Sequence, residues 1–489
     1  MTEHHFEPYV HLVDVTHEAA LVAWGGFWFR LPSGGSPDQA VIVDDEDLGE
    51  VSPGRSETIG ARSRPYGEAV VEALDGDGEV VARMATGDAN HAWLTGLEPD
   101  TAYRFRLQVD GKPWEADVHH DWAQGPDGRM GLRRSDRRYP MRLRTNPHPD
   151  TPAPLTFAVL GDFGVGVRKL VGGGERQWAI ARALERAVES RGVRLVLTTG
   201  DNIYLGEHET KGGSGDEDDD WFFTYYQPYR YVIDYVPVYP AAGNHDAEQE
   251  ASDDRQQLAD NFFLEQRFTD EVGGRDVSLD PGLFYRFGYG ADIEFVCIDT
   301  TSASAHGRRF FDEPRHAAFL EAAFPAADPP PAGRPRWRIP FSHHPAYCAG
   351  PKHPGTREMV ERLVPLFQRA GVRAVLSGHE HNFQLSVSDG IHYLITGAGG
   401  KLSTTPPFRF DEAGTRAWAA REHFLLVEVG AGRIVVHPCG GLGPDGEPAE
   451  LTLLDTAGAK APSPIVIESG APAAPRRRPQ RDGGRRRPG

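Results

Sequence analysis

Cysteine is scarce. Cys297, Cys348 and Cys439 are the only three among 489 residues, an odd number and far apart. This excludes a disulfide scaffold and favours a reducing compartment. Long apolar runs are also missing. None approaches the ~20 residues a membrane span needs, and the opening Met1-Thr2-Glu3-His4-His5-Phe6-Glu7 has no basic stretch followed by an apolar one. The expectation is a soluble, cytoplasmic protein that does not engage membrane, with secretion if translation starts further upstream. Positive charge is the minority sign, with 52 Lys and Arg against 71 Asp and Glu. Seven of those arginines and one aspartate lie between Arg476 and Gly489. The remainder therefore carries 45 basic and 70 acidic residues, a net −25. An acidic body argues against nucleic acid binding beyond weak contact by the basic tail, and is compatible with sites that concentrate multivalent cations.

What is present is enough for a sizeable core, with 39% hydrophobic residues, and enough Gly and Pro (56 and 39) for long loops. At roughly 150 residues per domain, the length predicts two or three domains. Residues from about Tyr9 to Thr145 read as β, with strands at Val10–Val15, Ala20–Trp24 and Glu79–Arg83, the last after the turn Asp75-Gly-Asp-Gly. In Gly96-Leu-Glu-Pro-Asp-Thr-Ala-Tyr103 a strand ends, a Pro-Asp turn follows and Tyr103 opens an alternating strand. Tyr103 is placed to hydrogen-bond back to that turn, the tyrosine corner of Greek-key sandwiches. The string resembles a fibronectin type III domain, which implies a packing and orienting module.

The Pro-rich stretch Asn146-Pro-His-Pro-Asp-Thr-Pro-Ala-Pro154 marks a boundary. The division expected is a β-sandwich over 1–148, a catalytic domain over 152–445, a C-terminal extension over 446–469 and a disordered basic tail over 470–489. Beyond the boundary, apolar runs at Leu155–Leu160, Leu195–Thr199, Val236–Ala241, Ile293–Ile298, Arg338–Ser342 and Ala374–Ser377 alternate with helices. One helix carries Ile180, Leu184 and Val188 and stops at Gly192. Another carries Val360, Leu363, Val364 and Phe367, with Pro365 set to kink it or to sit near its end. Alternation of this kind predicts an α/β domain. The like-charge run Asp216-Glu-Asp-Asp-Asp220 reads as a solvated loop tip.

The chemistry gathers where those strands end. Leu155–Leu160 runs into Gly161-Asp162-Phe163-Gly164, and Leu195–Thr199 into Gly200-Asp201-Asn202-Ile203-Tyr204. Val236–Ala241 leads to Gly243-Asn244-His245-Asp246. The last two runs lead to His343-His344-Pro345 and to Gly378-His379-Glu380-His381. In open α/β sheets, ligands bind just outside the carboxyl ends of strands. Carboxylates, a phenol, a carboxamide and imidazoles without thiolates exclude a structural zinc site and suit Fe, Mn or Zn. The donors exceed one coordination sphere, which a pair of metals bridged by one carboxylate accounts for. A tyrosine donor favours a trivalent ion such as Fe(III). Each motif taken singly is a turn or a surface histidine. All five in order are hard to ascribe to chance.

Together they resemble the ordered signature of the calcineurin-like metallophosphoesterases. Tyr204 narrows this to the purple acid phosphatases, and Gly-His-Glu-His-Asn-Phe-Gln384 with Thr396-Gly-Ala-Gly-Gly400 is similar to the small tartrate-resistant type. The resemblance covers roughly residues 155–435 and implies an αββα metallophosphoesterase sandwich behind the β-sandwich. Carried over, it implies Fe(III) held by Asp162, Asp201, Tyr204 and His381, and a second divalent metal, Fe, Zn or Mn, held by Asp201, Asn244, His343 and His379. His245 and, more loosely, His353 would contact phosphate or assist the leaving group. Pro340-Phe-Ser-His343 departs from the more usual Val-x-x-His, and His344 follows directly, so both imidazoles are candidates; the His-x-Pro spacing favours His343.

The implied activity is hydrolysis of a small-molecule phosphate monoester by metal-activated hydroxide in direct in-line attack. The alternatives are a phosphodiesterase acting on cyclic nucleotides or phospholipid headgroups, and a non-catalytic binding protein. A protein serine/threonine phosphatase needs Asp-Arg-Gly where Tyr204-Leu-Gly stands. The rim loops Thr301–Arg315 and Pro345–Gly355 are expected to set the substrate.

Overall fold

The computed structural model describes residues 3–32, 39–43, 45–204, 218–246, 252–267, 277–278, 282–301, 314–325 and 337–469. Its first strands are longer than the sequence suggests, Glu3–Val15 and Ala19–Leu31, and pair antiparallel along nearly their whole length. They form one sheet with Val41–Ile42 and His91–Thr95. A second sheet is built from Ala69–Leu74, Val80–Thr86, Ala102–Val109, Lys112–Pro113 and Arg142–Arg144. Val10, Leu12, Val22 and Trp24 of the first share a core with Val71, Ala73, Phe105 and Leu107 of the second, which makes the pair a β-sandwich.

The turn after Leu74 closes as expected, Gly78 N–H donating to Asp75 O at 3.2 Å. Tyr103 hydroxyl accepts from Glu98 N–H at 2.9 Å, the corner its sequence context pointed to. The first strand is buried on both faces, for a reason that period-two reading does not supply. Val10 and Leu12 face the sandwich core. Tyr9 and His11 instead meet Tyr226, at ring separations of 6.3 and 4.9 Å. One sheet thus serves two cores.

Two larger sheets follow. The first runs, in spatial order, Val238–Pro240, Val196–Thr198, Leu155–Leu160, Phe424–Val429, Arg433–Leu442 and Pro448–Glu450, with Ile465–Glu468 also on Arg433–Leu442. Residues 446–469, expected as an extension, thereby add two strands to this sheet. The second runs Val277–Ser278, Phe284–Tyr289, Ile293–Cys297, Trp337–Phe341, Ala374–Ser377, Ile391–Thr396, Phe383–Ser388 and Thr415–Ala419. The sheets face each other, with Phe157 edge-on to Phe295 at 5.1 Å.

Helix Gly173–Ser190 packs Ile180, Leu184 and Val188 into the core and is followed by Gly192 at φ 66°. On the other side, Phe319, Leu320, Met359, Leu363 and Phe367 cover the second sheet. The layers are therefore helix, sheet, sheet, helix. Pro365 splits its helix into Arg357–Arg362 and Val364–Arg369, because proline lacks the N–H that the preceding turn needs. Of the acidic run, Asp216 and Glu217 lie outside the described residues, as do 470–489 and 302–313. Asp218–Trp221 is a helical turn rather than a loop tip. Among the described residues, no helix is long and apolar enough to cross a membrane.

Removing the Tyr103 hydroxyl leaves the Glu98 N–H without its acceptor. We expect Tyr103→Phe to cost about 1–2 kcal/mol and to lower the unfolding midpoint of the sandwich by several degrees. Differential scanning calorimetry checks this.

Candidate metal centre

The parallel arrangement puts the expected residues at one edge. Leu155–Leu160, Val196–Thr198 and Val238–Pro240 run the same way in the first sheet. Ile293–Cys297, Trp337–Phe341 and Ala374–Ser377 do so in the second. Their carboxyl ends deliver Asp162, Asp201 and Asn244 from one sheet and His343, His379 and His381 from the other. Asp162, Asp201 and His379 adopt left-handed backbone conformations, at φ 53, 51 and 71°. Non-glycine residues pay for that conformation and concentrate where the surroundings enforce it. Gly243 is needed for space, since a Cβ there would lie 2.1 Å from the Asp201 backbone nitrogen.

The donor atoms converge closely. One ligand atom each from Asp162, Asp201 and His343 lies within a 4.8 Å group, and so does one each from His343, His344 and His379. Tyr204 hydroxyl donates to Asp162 Oδ1 at 3.0 Å and lies 3.2 Å from His381 Nε2. His343 Nε2 lies 3.0 Å from Asn244 Oδ1, 3.3 Å from Asp201 Oδ1 and 3.1 Å from His379 Nδ1.

His343 Nδ1 sits 2.8 Å from Thr199 O. A carbonyl can only accept, so Nδ1 carries the proton and Nε2 presents a lone pair to the cluster. The adjacent His344 is turned differently. Its Nδ1 meets Thr300 Oγ1 at 3.1 Å, and its buried Nε2 has no hydrogen-bond partner among the described residues.

Electrostatics in the cleft suit a bound cation. Burial and the charge of Asp201 hold the Asp162 carboxyl well above the usual carboxylate range. Burial works against Asp201 as well, but the His343 and His245 imidazoles bring it below that range; two like charges in one site split in this way. Burial, then the two carboxylates, keeps Tyr204 protonated far past its ordinary value. Burial favours the neutral form of His379, His381 and His344. Burial lowers His379 steeply, His381 to about 3 with help from Lys352, and His344 to about 3 with help from His343. Neutral imidazoles beside a buried carboxyl and phenol are ready donors for metal cations, which would favour the charged forms of Asp162 and Tyr204. The residues fit a dinuclear metal centre.

His245 is exposed at the mouth. Its N–H donates to Asp201 Oδ1 at 3.0 Å, and its ring lies 4.5 Å from that of Tyr204. His353 stands on the opposite rim, its ring centroid 4.0 Å from that of His379; burial and the Lys352 charge bring it to about 4. Sequence reading left three contributors without a role. Buried Asp246 accepts N–H groups from Asn202, Ile203 and Gly243 at 2.8, 3.1 and 2.7 Å, tying the Asp201 and Asn244 turns together. Lys401 Nζ lies 4.6 Å from the Tyr204 ring centroid. Glu380 points away from the cluster. Asp246 and Glu380 stood inside the motifs already singled out, but nothing local marks what they touch.

With this geometry in place, comparison with known proteins is informative. Residues 155–383 match the calcineurin-like phosphoesterase family. Over this region the chain is a calcineurin-like metallophosphoesterase. It is related to the purple and tartrate-resistant acid phosphatases. Human tartrate-resistant acid phosphatase type 5 is 27% identical over 268 residues, 51% of this chain and 74% of that protein. Purple acid phosphatase 17 of Arabidopsis thaliana is 25% identical over 254 residues, 50% and 69% respectively.

In fold, the metallophosphoesterase is similar to a purple acid phosphatase from yellow lupin seeds, with a TM-score of 0.54 at 14% identity over 91% of this chain and 74% of the other. It is also similar to PhoD, with a TM-score of 0.58 at 12% identity over 94% and 92%. Both alignments extend across most of the chain, the N-terminal sheets included.

Because Asp246 gathers three backbone donors in a buried site, Asp246→Ala leaves all three unsatisfied. We expect a loss of about 3 kcal/mol or more, read by chemical denaturation of the metal-free protein.

Proposed function

We propose that this metallophosphoesterase hydrolyses phosphate monoesters, in the manner of an acid phosphatase. The observation that carries the reading is Tyr204, whose hydroxyl stands among the donors, 3.0 Å from Asp162 Oδ1 and 3.2 Å from His381 Nε2. In this reading Asp162, Asp201, Tyr204 and His381 hold Fe(III), and Asp201, Asn244, His343 and His379 hold a second divalent ion, Fe, Zn or Mn. A phenolate is a hard anionic donor that suits the trivalent ion. When bound, such a metal pair would supply an activated water and neutralise charge on the phosphoryl oxygens.

The chain's own groups supply the rest. Asp201, grouped with Asp162 and 3.3 Å from the Nε2 of His343, would serve both metals. His343, through the proton it gives to Thr199 O, keeps Nε2 directed at Asn244 and Asp201. His245 stands at the open mouth with its backbone locked to Asp201. It is the group best placed to give a proton to the departing alkoxide. The −25 charge of residues 1–475 favours small substrates delivered to the metals over polyanions bound along a surface. The diesterase alternative shares the metal site and differs in the rim loops.

His245→Ala should leave metal content unchanged and slow alkyl phosphate monoester turnover by about 100-fold, with less effect on an ester whose leaving group needs no proton. Equal turnover of variant and wild type would remove His245 from the reaction. Asp201→Ala should lose both metals, as measured by inductively coupled plasma mass spectrometry; a retained pair would rule out the bridge. Wild-type protein that prefers the matching diester at every pH would replace the monoesterase reading with its alternative.

A further inference from the structure

The segment Gly378-His379-Glu380-His381-Asn382-Phe383-Gln384 does more than deliver two imidazoles. Its alternate side chains, Glu380, Asn382 and Gln384, are each 0% exposed and face away from the metal cluster. They meet the backbone of the loop after His343. Glu380 Oε2 accepts the N–H groups of Lys352 and His353 at 3.1 and 2.6 Å. Gln384 Oε1 accepts Ala349 N–H at 2.8 Å, and its Nε2 donates to Gly350 O at 2.8 Å. Asn382 Nδ2 reaches the same Gly350 carbonyl at 3.4 Å, while its Oδ1 accepts from Gln384 Nε2 at 2.8 Å.

A carboxylate at a fully buried position has to be satisfied. Among the described residues, no Lys or Arg forms an ion pair with Glu380. Two backbone amides of a single loop satisfy it, with the Asn382 carboxamide at 3.4 Å from Oε1 and the Lys352 charge in support. That loop ends in His353, whose imidazole lies against His379 at 4.0 Å and near His381 at 6.0 Å between ring centroids.

We propose that Glu380 is a positioning residue that, with Asn382 and Gln384, clamps the backbone of residues 349–353 and so holds His353 over the metal-binding residues. The proposal rests on the phosphoester hydrolase reading and adds to it a built rim. The chain that brings two ligands to the metals also fixes the wall against which the substrate's non-reacting part rests. One short segment therefore sets the distance between metals and rim, and a misplacement of about 1 Å at such a rim is enough to cost about 100-fold in rate.

The test combines amide exchange with a double-mutant cycle on the metal-loaded protein. Glu380→Ala should retain its metals, raise amide exchange of the peptide spanning 349–354 by about tenfold or more, and lower kcat/KM to about the level of His353→Ala. The double variant should be no slower than either single one, since both remove the same contribution. Glu380→Gln should recover most of the loss, because its carboxamide oxygen still accepts both amides. Unchanged exchange in Glu380→Ala, or losses that multiply in the double variant, would overturn the clamp. If Glu380→Ala does not fold, Gln384→Met, which lies outside the metal cluster, is read in the same way. If the wild type hydrolyses no phosphoester, the functional reading fails while exchange still decides whether the clamp exists.

Discussion

The constraint on which the rest of the structure depends is the burial of two carboxylates, Asp162 and Asp201, at 0 and 1% exposure in one cleft. Like charges so placed cannot both ionise without a cation, because burial removes them from the bulk solvent that would otherwise relieve them. The surroundings of the cleft follow from that cost. Left-handed backbone at Asp162, Asp201 and His379 aims the donors inward. Gly243 vacates the space a side chain would take from Asp201. Asp246 offers its buried carboxyl oxygens to three backbone N–H groups and thereby fixes the turns that carry Asp201 and Asn244. His343 is locked by Thr199 into the tautomer that presents a lone pair.

The N-terminal sandwich is tied into the same frame. Arg230, 1% exposed, lies between Glu7 Oε1 at 2.6 Å, Tyr139 hydroxyl at 2.7 Å and Asp121 Oδ1 at 2.9 Å, all from the sandwich side. Glu7 also accepts from His120 N–H at 3.0 Å. A buried pair of this quality is costly to break from one side. Because Tyr9 and Phe27 interleave with Phe222 and Tyr226 beside it, the two parts share a continuous apolar interface. The sandwich thereby buries the flank of the first of the two larger sheets.

Legibility in the sequence followed the range of the interaction. Turns, caps and strand-end motifs rest on contacts a few residues apart. The Asp75–Gly78 turn, the Tyr103 corner, the split at Pro365 and the five polar clusters could accordingly be read along the chain. The double burial of Glu3–Val15 could not, since its second face is covered by residues more than 200 positions away. Nor could the contribution of 446–469, whose strands pair with Arg433–Leu442 over a register that no local pattern announces.

By itself the sequence determined which residue types stand at the ends of the parallel strands, and with them the donor chemistry: oxygen and imidazole ligands without thiolate, in a body of net negative charge. It also determined the family, because those donors occur in a fixed order. Only the tertiary structure decided how the donors sort into two groups, which His343 nitrogen faces them, that His344 turns to Thr300, and that Glu380, Asn382 and Gln384 look the other way. The physical reason is that side-chain direction and tautomer are set by partners across the two sheets, and sequence spacing carries no information about who those partners are.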